Sequence, residues 1–136
     1  MSAEHWQAFF ATGMPTVGTL STSNAAGAIN AALFGSARLL GDGTTLVLAL
    51  GDNRTLRNLR QHPAAVFLLA RPGATLAQWQ GVRLYLRLQR LESTGELYTA
   101  LLAETERLAG RRAARRLRAI ALFQIEAARP LLDLNP

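Results

Sequence analysis

The stretch that most narrows the fold is residues 82–92, where Val82, Leu84, Leu86 and Leu88 alternate with Arg83, Tyr85, Arg87 and Gln89. A strand turns successive side chains to opposite faces, so this spacing predicts a strand with one buried and one wetted face. Half-wetted strands belong to antiparallel sheets and barrels, because parallel sheets are covered on both faces and carry continuous apolar runs. Two other stretches, residues 44–50 (Thr-Thr-Leu-Val-Leu-Ala-Leu) and 64–70 (Ala-Ala-Val-Phe-Leu-Leu-Ala), are short and apolar on both faces. They predict buried strands.

The rest of the chain fits around these three. Residues 15–22 are strand-like, rich in β-branched side chains, and Ser23-Asn24-Ala25-Ala26-Gly27 makes a turn. Residues 28–40 read as a second long strand that completes a hairpin. The tight turn Gly41-Asp42-Gly43 then feeds 44–50, so the first three strands form a meander. Gly41-Asp42-Gly43 is not a dinucleotide fingerprint, since it lacks a third glycine and a following helix. Residues 71–81 read as a loop and 117–127 as the last strand. Helices are expected at 3–12, at 54–61 and at 95–115. In the first, Ser2 is the cap, Gly13 the stop, and Trp6, Phe9 and Phe10 share one side. In the last, Leu97, Leu101, Leu102 and Leu108 form an apolar stripe, and Gly110 is a candidate break. Six strands and three helices without a βαβ rhythm predict a mainly β fold with peripheral α-helices, a small closed or split barrel. One domain over residues 1–136 is expected.

Composition removes several chemistries. The chain has no cysteine, which excludes disulfides, thiolate metal sites and cysteine nucleophiles. His5 and His62 are far apart, and no metal site is expected. No Gly-x-Ser-x-Gly elbow or phosphate-binding Gly-x-x-x-x-Gly-Lys loop is present, and the nine carboxylates show no acid–base pairing. The apolar runs are too short for a bilayer and the N-terminus carries no basic targeting region, so a cytoplasmic protein without membrane segments is expected. All fifteen basic residues are arginine, and the net charge of +6 favours anionic partners.

One place is organised to receive an anion. The strand 44–50 ends at Gly51, and Asp52 and Asn53 are turn formers and helix caps. The helix from Arg54 to Gln61 stops before Pro63. Its N-terminus would present unpaired N–H groups, the Arg54 guanidinium and the Thr55 hydroxyl. These residues read either as a phosphate-binding corner or as a capped connector helix with solvated arginines. Asn30, a polar residue among small neighbours, reads either as a place where a flat ligand approaches the backbone or as a bulge or edge position. Arg111, Arg112, Arg115, Arg116 and Arg118 form a basic cluster. It has no interleaved aromatics for base stacking, which weighs against nucleic acid. A solvated helix end complementing the helix dipole is the competing account.

The order of these motifs resembles the pyridoxamine 5′-phosphate oxidase-like FMN-binding split barrels, and especially their small FMN-binding proteins. The resemblance rests on residues 16–22, Asn30 in its small-residue strand, Asp42-Gly43-Thr44-Thr45-Leu46, and Asn53-Arg54-Thr55-Leu56-Arg57-Asn58-Leu59-Arg60 followed by Pro63. It implies a six-stranded antiparallel Greek-key split β-barrel and a homodimer with FMN at the subunit interface. It implies that Arg54 and Thr55 hold the phosphate, with Asn58 supporting the turn and Asn53 among the cofactor-binding residues. Asn30, Ala31 and Ala32 would bond the isoalloxazine, and Leu48, Ala49, Leu50 and Gly51 would lie under it. The tail near Leu132 would cover the flavin from the other subunit. A flavin-dependent oxidoreductase or electron carrier follows, acting with a small-molecule redox substrate or an electron-transfer partner. The chain lacks the basic C-terminal segment by which pyridoxamine phosphate oxidases hold their substrate, which argues against vitamin B6 oxidation. A split barrel using haem or a deazaflavin is the alternative.

Overall fold

The structure, a computed structural model, describes residues 3–10 and 16–132. Helix α1 (Ala3–Gln7) and a 3-10 turn (Ala8–Phe10) lead to strands β1 (Gly18–Ser23), β2 (Ile29–Phe34), β3 (Arg38–Leu39) and β4 (Thr45–Gly51). Helix α2 (Arg54–Gln61), β5 (Ala64–Arg71) and β6 (Gln80–Glu92) follow. Helices α3 (Glu96–Ala109) and α4 (Arg111–Arg116) then precede β7 (Leu117–Pro130). Ser2, Thr12, Gly13 and Pro15, given roles in the sequence reading, lie outside the described residues, as does the tail after Leu132.

All seven strands form one antiparallel sheet in the order β2-β1-β5-β6-β7-β4-β3. Its two outermost strands, β2 and β3, are consecutive in the chain. The sheet therefore curls until residues 35–37 join one edge to the other. This corrects the expected strand count from six to seven. Residues 28–40 pair with β1 up to Phe34 and then cross to β4, where Arg38 faces Val47 and Leu39 faces Leu46. No straight strand can serve both partners, so the chain breaks at Gly35-Ser36-Ala37. The expected helix 95–115 is likewise two, split at Gly110, whose φ of 91° is a glycine conformation. Strand β7 runs three residues beyond the expected end, because pairing with β6 continues to Val82↔Pro130.

The curl has an apolar interior. Val82, Leu84 and Leu86 of β6 point into it, while Arg83 and Tyr85 are half-buried and Arg87 is exposed. Leu20, Leu46, Leu48, Leu50, Phe67, Leu69 and Phe123 fill the same core, and Trp6, Leu56 and Leu59 close it from α1 and α2. Burying one leucine contributes about 1.5–3 kcal/mol, so this cluster dominates stability. A smaller cluster of Val47, Leu101, Ile120 and Leu122 fixes α3 to the outer side of β4 and β7. Gly81 is a position where β6 has no room for a side chain: a Cβ built there would stand 1.9 Å from the Leu69 carbonyl oxygen of β5.

Candidate functional site

Local signals build the corner at the start of α2. Asn53 is extended (φ −140°, ψ 176°), and its Oδ1 accepts from the Leu56 N–H at 2.9 Å, an N-cap. Eight helical residues later, Pro63 forbids continuation. The buried side of α2 carries Thr55, Leu56, Asn58 and Leu59, and the exposed side carries Arg54, Arg57 and Arg60. Asn58 Nδ2 donates to Thr22 Oγ1 at 3.1 Å, a buried bond that ties α2 to β1. Arg57 lies 3.6 Å from Asp52, which leaves Arg54 as the guanidinium at the helix start. Thr55 is only 1% exposed, and its Oγ1 has no hydrogen-bond partner. A buried hydroxyl without a partner costs free energy, which makes Thr55 the one side chain of α2 with an unmet buried polar group.

A cleft of about 780 Å³ opens where the sheet closes on itself. Its floor is Gly35, Ser36, Ala37 and Ala49, and its far wall is the C-terminal half of α3, with Glu104 and Leu108. Ser36 Oγ accepts from the Ala49 N–H at 3.3 Å and stitches the floor together. Arg38 reaches across to form an ion pair with Glu104, and Arg107 approaches the same carboxylate at 3.9 Å. The Arg38 Nε is shielded from water and has no partner. Leu108, expected on the buried stripe of α3, is 69% exposed at the rim of this cleft.

Strand β4 connects cleft and corner. Leu46, Leu48 and Leu50 point into the barrel, so Val47, Ala49 and Gly51 point out. Val47 is covered by α3, Ala49 lines the cleft, and Gly51 is the next outward position, about 7 Å further along the strand. Arg54 begins α2 three residues later.

The residues singled out from the sequence divide accordingly. Asn53, Arg54, Thr55 and Asn58 come together at the corner. Of the four residues expected under a flavin ring, Ala49 and Gly51 face outward. The side chains of Leu48 and Leu50 are fully buried in the core, which the two-residue strand period requires. Asn30, Ala31 and Ala32 lie on β2, opposite Thr22, Ser21 and Leu20, on a sheet edge whose outer backbone groups are unused by the ladder. Leu132 stands just beyond the end of β7 beside Val82, whereas β7 starts beside Gly51, so within one chain Leu132 does not join the corner. Ser36, Ala37, Arg38 and Glu104 were not anticipated. Their only signal is the run Gly35-Ser36-Ala37, small residues in the middle of an otherwise strand-like stretch.

A second, shallower groove of about 390 Å³ crosses the outer face of β1, β5 and β6, with Ser21, Ile29, His62, Val66 and Tyr85 on its walls. His62 Nδ1 accepts from the Ala64 N–H at 3.2 Å there, and His5 stacks edge-on against Phe9. Neither histidine lines the cleft.

No protein-family model matches the sequence, and no curated protein matches it. Solved structures do. An FMN-binding protein from Syntrophomonas wolfei subsp. wolfei superposes with a TM-score of 0.80 at 21% identity, over 96% of this chain and 86% of that one. HutZ, the haem storage protein of Vibrio cholerae, gives 0.69 at 15% identity over 93% and 91%. A pyridoxamine 5′-phosphate oxidase-like protein from Listeria innocua gives 0.68 at 15% over 95% and 97%.

Proposed function

On the split-barrel fold that it shares with pyridoxamine 5′-phosphate oxidase-like proteins, we propose that this chain binds FMN and acts as a flavin-dependent oxidoreductase or electron carrier. The observation that carries the reading is a cleft of flavin size on the outward side of β4 at Ala49, with a capped helix N-terminus bearing Arg54 starting three residues after that strand ends. The ring would lie against Ala49, and the phosphate would reach Arg54 and the first N–H groups of α2. The buried, unpartnered Thr55 Oγ1 fits a ligand oxygen near this corner. Backbone groups along β2 alternate between the β1 ladder and the outer edge, and those of Asn30, Ala31 and Ala32 that point outward suit hydrogen bonds to the ring's polar rim. Bound flavin would supply the hydride and single-electron chemistry, and the protein's part is position and electrostatics. Neighbouring folds include haem binders, but neither histidine of this chain borders the cleft, which favours flavin there.

The site belongs to a homodimer in this reading. Ile29 (79% exposed) and Leu33 (71%) stand on the outer face of β2, with Leu68 and Val66 on the same face of β5. Exposed apolar residues grouped on one face mark an interaction surface, and in this reading a second copy covers them and brings its Leu132 toward the corner. The redox partner is a small molecule or an electron-transfer protein, and a cytoplasmic location fits the cysteine-free composition.

The test is the visible spectrum of the purified protein, followed by release and identification of its chromophore. A two-band flavin spectrum with FMN released is expected. Arg54→Ala should weaken FMN binding by about 1.5–3 kcal/mol, the scale of one charge-assisted hydrogen bond. An unchanged dissociation constant removes Arg54 from the phosphate site.

A further inference from the structure

Helix α4 is the part of the chain that the flavin reading leaves unexplained. Its six residues are Arg-Arg-Ala-Ala-Arg-Arg. At 100° per residue, Arg111, Arg115, Arg112 and Arg116 fall within one arc of about 140°, and the two alanines fall outside it. Burial follows that geometry: Ala114 is buried and Ala113 half-buried, while all four arginines are exposed. Arg118 folds back against the end of the helix, its Nη1 donating to the carbonyls of Arg115 at 2.8 Å and Leu117 at 3.2 Å. Arg111 has Glu106 at 3.5 Å. Arg112, Arg115 and Arg116 make no ion pair with a described residue.

The position of α4 gives this face a use. The helix begins two residues after Ala109, which lines the cleft, and ends at Arg116. The Arg116 carbonyl oxygen would stand 3.1 Å from a Cβ built on Gly51, and Leu117 is the sheet partner of Gly51. Helix α4 therefore spans from the cleft wall to the outward end of β4, beside the corner where Arg54 starts α2. An exposed row of like charges destabilises itself unless something anionic neutralises it. Single-stranded nucleic acid would need stacking surfaces, and α4 carries no aromatic residue. The row is about 9 Å long, the span of a few linked anionic groups.

We propose that the arginine face of α4 and Arg54 form one rim, and that it binds a small polyanion, a chain of phosphates or of carboxylates, held beside the cleft. The Arg54 half of this rim rests on the anion-corner reading above; the α4 half does not. The rim makes the redox substrate, or an extension of the cofactor itself, polyanionic.

The experiment is calorimetric titration of the full chain with inorganic phosphate, tripolyphosphate and hexaglutamate at one fixed ionic strength. At least one polyanion should bind about tenfold or more tighter than inorganic phosphate. Arg112→Gln/Arg115→Gln/Arg116→Gln should abolish that gain. The charge-matched control Arg60→Gln/Arg87→Gln/Arg90→Gln, all at exposed positions, should keep it. Gain with tripolyphosphate alone assigns a phosphate chain, with hexaglutamate alone a carboxylate chain, and with both a rim that counts charge. No gain over phosphate, or equal loss in the two triple variants, overturns the proposal. So does tighter α4-dependent binding of mixed-sequence duplex DNA, which would make the helix a nucleic-acid contact. FMN titration separates the two readings. A chain that gains on polyanions but takes no FMN keeps the rim and loses the flavin, and the reverse result loses the rim alone.

Discussion

At the scale of single residues, the corner of α2 separates roles that the sequence runs together. Arg54 and Asn58 sit four residues apart on one short helix, yet Arg54 is in solvent and Asn58 is buried against Thr22. Asn58 thus positions the helix, and Arg54 is the group free to meet a ligand. Asn58→Ala leaves the Thr22 hydroxyl buried without its partner. Thermal or denaturant unfolding should show a loss of about 1–3 kcal/mol. A variant as stable as the parent would show that the bond contributes nothing net. The same care applies to β4. The sequence shows an apolar run but not which residues face outward, and only the barrel's curvature selects Ala49 and Gly51 over Leu48 and Leu50.

At the scale of elements, what was legible depended on how local the cause was. Helix α2 matches its expected bounds, 54–61, because its cap (Asn53) and its stop (Pro63) are both adjacent in sequence. The alternation in β6 survives intact because one face meets the core and the other does not. The break between β2 and β3 was hardly legible, since it arises from a change of partner and its one local signal is the small-residue run Gly35-Ser36-Ala37. The cleft was hidden for the same reason: α3 and β3 are some sixty residues apart, and nothing in either foretells the Arg38–Glu104 contact. The β3–β4 turn offers an element-scale test. Asp42 accepts from the Thr44 N–H at 2.9 Å, the Thr45 N–H at 3.0 Å and the Thr45 hydroxyl at 2.8 Å. The Thr44 backbone bond, foremost among these, holds its pKa below the usual 3.8. A depressed carboxylate contributes its stability above the unfolded pKa and loses it as pH falls through the folded value. Asp42→Ala should therefore be less stable than the parent at neutral pH, with the gap closing below about pH 4. A gap independent of pH would mean that the charge plays no part in the turn.

For the whole molecule, the outer face of β1, β2 and β5 is the outstanding debt of the isolated chain. Ile29 and Leu33 are two of its most exposed apolar side chains among the described residues, on the strand whose edge the flavin reading also uses. If a second copy covers them, Leu33→Glu should convert a sedimenting dimer to monomer and weaken FMN binding in the same variant. A parent protein that sediments as a monomer with flavin bound would sink the interface reading. A monomeric variant with unchanged FMN affinity would place the flavin wholly within one chain.

The seam at residues 35–37 carries a consequence for dynamics. Beyond it the barrel is closed by only two residue pairs, Arg38↔Val47 and Leu39↔Leu46, whereas β6 and β7 are paired along most of their length. Native-state opening starts where fewest interactions must be given up, so the protein should breathe along this line. Amide hydrogens of β3 and its outer β4 partners should exchange with solvent faster than those of β5, β6 and β7. The cleft floor is that same seam. A ligand seated on it would bind only the closed form and would slow the exchange in proportion to its own affinity. Exchange rates across one two-residue strand would then report occupancy of the cleft for a ligand of any colour or none.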